Sequence, residues 1–120
     1  MRISEAAARS GLSIDTIRFY EKSGLLPQVE RGADGYRRFS METVDWLMLL
    51  ASLRETGMPM KKMQHFADLY RQANETIPER KRILLDHSQD LVRRRVALDR
   101  CAEILAFKLK RYDEITGGLA

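Results

Sequence analysis

Along most of the chain apolar positions return every three or four residues, the spacing of one helical face, and glycine or proline punctuates them. Residues 4–12 (SEAAARSGL) predict a short helix, with Ser4 as its cap, Glu5 in its first turn and Gly11 as its stop. Residues 12–26 (LSIDTIRFYEKSGLL) predict a second, over about 14–22, capped by Ser13 and ended by Gly24. On this helix Ile14 and Ile17 fall three apart and face a core. Thr16, Arg18, Tyr20 and Lys22 present hydroxyls and cations elsewhere, a surface suited to phosphates and base edges. Ala7, Gly11 and Ile17 lie four and six residues apart, as a helix-turn-helix requires. The small residue lets the second helix cross closely, glycine makes the turn, and the branched residue plugs the space between helices. The second helix would then be the one that enters a major groove.

The period changes after Gly24. Pro27 blocks a helix, and two short strands, 29–31 and 36–39, flank a turn containing Gly32, Asp34 and Gly35. Arg31, Arg37, Arg38 and Tyr36 would make this hairpin a phosphate-clamping wing. The same arginines would equally guard an exposed edge hairpin against aggregation, so the hairpin by itself leaves both roles open.

Helical spacing resumes at Ser40, a cap followed by Glu42. The stretch 44–53 is apolar on nearly every side and must be buried from more than one direction, which makes it a scaffold, with Trp46 as core or subunit contact. Pro59 suits the first position of a further helix over 60–70, whose Met63, Phe66, Ala67 and Tyr70 share one face. A polar linker, 71–77, precedes a final helix opened by Pro78. In it Leu84, Leu91, Leu98, Leu105 and Tyr112 recur every seven residues amid charge. Such a helix, about 50 Å long at 1.5 Å per residue, needs another like it, and the chain has none. A coiled coil with a second copy satisfies it. The expected organisation is therefore 1–70 as the DNA-binding part, 71–77 as linker and 78–120 as the dimerisation helix.

Composition sharpens this only slightly. A formal net charge of +4, from 21 Lys and Arg against 17 Asp and Glu, permits a polyanionic partner without demanding one. No apolar run approaches the roughly 20 residues that cross a bilayer, so a cytoplasmic protein is expected. The single cysteine, Cys101, excludes a disulfide framework within the chain and a multi-cysteine metal centre, and neither metal nor cofactor is expected. An enzyme using Cys101 with His65 or His87 would lack a pocket-forming fold. His65 has no second ligand at metal spacing.

Three motifs in order, TIRFYEKSGLLP, GYRRFS and LRETGM, resemble the MerR family of bacterial transcription regulators. The resemblance implies a mainly α fold: a winged helix-turn-helix with a small β-hairpin wing, a helix pair, and a long C-terminal helix that dimerises as an antiparallel coiled coil. It implies that Thr16, Arg18 and Tyr20 meet bases and phosphates from the recognition helix, and Tyr36 and Arg37 from the wing. With Ser13, Lys22 and Arg38 these make the expected DNA-facing set. Family members distort promoters whose spacer is overlong, so promoter DNA, a second copy and RNA polymerase are the implied partners, alongside an effector of unknown identity. The stretch DWLMLLASLRETGM is most similar to the aldehyde- and nitrosative-stress branch. Ser52 stands where that branch carries its reactive cysteine, and a hydroxyl with no matched base is a poor substitute for a thiolate, which argues against thiol sensing. The alternative is an architectural winged-helix protein that bends DNA without activating transcription.

Overall fold

The structure, a computed structural model, describes residues 1–27 and 29–117. Helices α1 (Ile3–Ser10) and α2 (Ile14–Lys22) come first, then a two-stranded antiparallel hairpin, β1 (Glu30–Arg31) and β2 (Arg37–Arg38). Helices α3 (Met41–Glu55) and α4 (Met60–Arg71) follow, then a single 3-10 turn (Asn74–Thr76) and the long α5 (Ile77–Ile115). The chain divides into two units, Met1–Ile83 and Leu84–Ala120. Residues 118–120 of the expected C-terminal segment lie outside the described residues.

Several boundaries differ from expectation for local reasons. Ser4 does not cap α1, because the helix begins two residues earlier than a Ser4 cap requires, behind Arg2, and Ser4 sits inside the first turn. Gly11 does end it, in the left-handed conformation, donating its N–H to the Ala7 carbonyl. Fully buried Ala6, rather than half-buried Ala7, is the small residue inside the core here. Pro59 is the residue before α4 and not its first, and the expected linker is partly helical, with α5 starting at Ile77. The strands are shorter than the period suggests, two residues each, in the register Glu30↔Arg38 and Arg31↔Arg37.

In the first unit Ile17 and Tyr20 of α2, Leu25, Phe39 and the buried side of α3 (Val44, Leu47, Leu50, Leu53) form one core, which Met63, Phe66 and Leu69 of α4 extend. The residues after α2 are fixed from this scaffold. Gly24, at φ +75°, turns the chain out of α2, and the Leu25 N–H reaches back to the Tyr20 carbonyl at 2.9 Å. Side chains of α3 and α4 then hold the turn. Trp46 Nε1 donates to the Leu25 carbonyl at 2.7 Å, Gln64 Nε2 to that of Ser23 at 3.3 Å, and Arg71 Nη2 to those of Gly24 and Leu26. The Trp46 ring stacks on Phe66 with centroids 5.3 Å apart, so it is core, and its one polar atom is satisfied. Trp46→Phe should leave the Leu25 carbonyl buried without that donor and cost about 1–3 kcal/mol in a urea melt. Unchanged stability would mean that water already reaches that oxygen.

The second unit consists of the rest of α5. Its leucines stand largely in the open in the single chain: Leu98 is 70% exposed, and Leu105, Leu109 and Tyr112 are also exposed, while Leu84 and Leu91 are half-buried. Cys101 is exposed on the same helix.

Candidate nucleic-acid interface

The outward face of α2 follows from its cap and its buried stripe. Ser13 Oγ accepts from the Thr16 amide at 3.0 Å and donates to Thr16 Oγ1 at 2.8 Å, so both hydroxyls are engaged in starting the helix. Ile17 faces inward, and Tyr20, three residues on, continues that stripe. At 2% exposure the Tyr20 ring is core, which corrects its expected place among the DNA-facing residues. Its neighbour Phe19 is 47% exposed and lies under the Arg54 guanidinium at 5.7 Å. Arg18 and Lys22 are exposed on the outward side, and among the described residues none hydrogen-bonds Arg18.

Beside α2 lies a cleft of about 450 Å³ lined by Arg18, by Arg31, Gly35, Tyr36 and Arg37 of the hairpin, and by Arg2, Ile3 and Ser4. It gathers guanidinium groups from three parts of the chain. Each hairpin arginine is oriented from within the unit. Arg37 Nε donates to Glu21 Oε1 at 2.7 Å, joining the hairpin to α2, and Arg31 Nη1 donates to the Gly35 carbonyl at 2.8 Å. Arg2 pairs with Asp34 at 2.9 Å and lies 4.3 Å over the Tyr36 ring. The backbone of Met1 exchanges hydrogen bonds with Phe39 at 2.7 and 2.6 Å, which ties the N-terminal segment to the strand end.

Asp34 organises the turn. The Tyr36 amide, helped by Arg2 and Arg38, holds its carboxyl below the ordinary carboxylate range. Because folding lowers this pKa, its stabilising contribution is present above the pKa of an unfolded aspartate. It fades as the pH falls through the lowered value, so the turn loosens only in acid.

Arg38 points elsewhere. It pairs with Asp34 at 3.1 Å, crosses the space over Gly32 that a Cβ would occupy, and lines a different cleft of about 590 Å³ with Glu30, Glu42, Asp45, Trp46 and Tyr70. Those carboxylates would repel a phosphate, so the arginine cleft is the one suited to a nucleic acid. Of the expected residues, the structure brings Arg18, Tyr36 and Arg37 together there; Ser13, Thr16, Lys22, Tyr20 and Arg38 do not line it. Sequence reasoning missed Arg2 and Ser4, which lie at the start of α1 outside any periodic face. Among the described residues no three His, Cys, Asp or Glu side chains converge as a metal site needs, and no helix is long and apolar enough to cross a membrane.

Residues 1–69 match the model of the MerR HTH family regulatory protein, and residues 44–106 match that described as MerR, DNA binding. The chain belongs to the MerR family. It is 36% identical over 111 residues to an uncharacterized HTH-type transcriptional regulator of Haemophilus influenzae, covering 92% of this chain and 82% of that one. To the HTH-type transcriptional regulator AdhR of Bacillus subtilis it is 32% identical, over 77% of this chain and 66% of that one. Among solved structures, HiNmlR, a MerR family regulator lacking the sensor domain and bound to promoter DNA, is 34% identical. The two superimpose with a TM-score of 0.85 over 97% of this chain and 92% of that one. These MerR relatives are transcriptional regulators and not enzymes. Ser52 is exposed on α3 of this member.

Proposed function

We propose that this MerR protein binds a pseudo-palindromic promoter as a homodimer and distorts the spacer DNA to control initiation by RNA polymerase. The observation that carries the reading is the arginine cleft between α2 and the hairpin, in a chain with this family's DNA-binding pattern. Residues 1–70 would contact DNA, 71–77 connect, and 78–120 pair with the same helix of the partner, placing two clefts on one face of the duplex. Contacts from both clefts to phosphate would offset the elastic cost of deforming the site. The protein would act in the cytoplasm, at the nucleoid. An effector would bias one dimer geometry over another.

Within the interface, Arg18 has no hydrogen-bond partner among the described residues and is assigned to a base edge, whereas Arg37 is anchored and is assigned to a phosphate. Arg18→Ala should therefore cost roughly 1–3 kcal/mol on the cognate promoter and flatten discrimination. Arg37→Ala should weaken all sequences alike and lower the salt slope by about one. Anisotropy titrations on promoter and random duplexes read both. Identical behaviour of the two variants on both duplexes would refute this division. Run-off transcription on the upstream region separates a regulator from an architectural protein that bends DNA with no effect on transcript yield.

A further inference from the structure

We infer that Glu21 is a positioning residue for DNA binding, a carboxylate at a cationic cleft whose presence strengthens the hold on phosphate. The inference rests on the DNA-binding reading above. Glu21 is on α2 and does not itself line the cleft, while Arg37, on β2, does. The two are joined by the Nε donation at 2.7 Å, with side chains 35% (Arg37) and 29% (Glu21) exposed, so the bond is partly shielded from water. Arg37 is thereby held by one edge. Its terminal nitrogens have no partner among the described residues and remain available to a ligand in the cleft.

The second oxygen of Glu21 gives the arrangement its direction. Glu21 Oε2 is buried and has no hydrogen-bond partner among the described residues. Arg37 is thus the cation that compensates this carboxylate, and swinging it into solvent would strand a poorly hydrated charge. The ion pair also spans the two elements that must act together, since it crosses from the recognition helix to the wing 16 positions along the chain. A long flexible guanidinium loses rotamer freedom when it binds phosphate. Anchoring it beforehand moves that cost from binding to folding.

A simple count of charges predicts the reverse, because removing any carboxylate near DNA lowers repulsion. The two accounts part in a double-mutant cycle, read by anisotropy on a promoter duplex at several salt concentrations. Glu21→Leu, which removes the acceptor, is expected to weaken binding about tenfold and to lower the salt slope by about one, as Arg37 disengages. Glu21→Gln, which keeps a neutral acceptor, should bind more tightly than Glu21→Leu. In an Arg37→Ala background the sign should reverse, with Glu21→Leu leaving affinity unchanged or raising it, since the carboxylate then only repels phosphate. Thermal melts of each variant identify loss through unfolding, and Glu21→Gln, the conservative change, keeps the test open if Glu21→Leu fails to fold. Binding by Glu21→Leu and Glu21→Gln that is equally tight and tighter than that of the unaltered chain would overturn the inference. So would losses that simply add in the cycle. If the unaltered chain has no affinity for duplex DNA, the functional reading itself fails, a result distinct from either of these.

Discussion

Replacing Leu91 and Leu98 together by glutamate is expected to yield a monomer whose first unit remains folded and which no longer binds its promoter tightly. Most of the core lies within Met1–Ile83, and α5 is the element left with an exposed leucine row, Leu98 at 70% and Leu105 beyond half. Burying one leucine is worth about 1.5–3 kcal/mol, so losing two from each helix of a pair removes several kcal/mol of association energy, before the repulsion of the new carboxylates. Without the pair, the two half-sites are no longer engaged by one molecule, and the affinity that linkage confers, about 10²- to 10⁴-fold, goes with it. Sedimentation and anisotropy on the same samples measure both. A monomeric variant that still binds its promoter tightly would contradict the role assigned to α5.

The second large effect is expected at Tyr20. Tyr20→Ala should destabilise the first unit by about 3–5 kcal/mol, since a nearly fully buried ring is removed from the packing between α2 and the scaffold. Tyr20→Phe keeps the ring and removes the hydroxyl. If the residue is core, that change should leave promoter affinity within about 0.5 kcal/mol of the unaltered chain. A marked loss of affinity in a folded Tyr20→Phe protein would instead return the hydroxyl to the DNA contacts. Urea melts and anisotropy separate the two results.

Tyr20 also illustrates how the sequence could be misread. Tyrosine has an apolar body and a polar tip, and beside Arg18 and Lys22 its hydroxyl looked outward. The spacing Ile14, Ile17, Tyr20 already placed it on the buried stripe, and Phe19, the more apolar of the pair, is the one exposed. Periodicity was thus the better guide than residue type. The caps at Ser13 and Ser40 were legible because a hydroxyl before a polar first turn has one local use, and each accepts the amide three residues on. Ser4 carried the same signal and failed, since Met1 and Arg2 are drawn to Phe39 and Asp34 and start the helix earlier. That tertiary pull has no local mark. The arginines of the hairpin were visible as a group, but their division was not. Arg37 turns toward Glu21 and the cleft, whereas Arg38, one residue along a strand, projects to the other face. Arg71 and Gln64, which bond to the turn after α2 across 41 or more positions of the chain, left no trace in any local pattern.

The central claim is that two copies joined through α5 seat two arginine clefts on one symmetric DNA site. In vitro selection by the intact chain from a pool of random duplexes tests it whichever promoter the protein serves. Enrichment of pseudo-palindromes is predicted, with half-sites about one helical turn, roughly 34 Å, or a multiple of it apart, bound about a thousandfold or more above the starting pool. Enrichment of a single asymmetric half-site, or no enrichment over the pool, would contradict it.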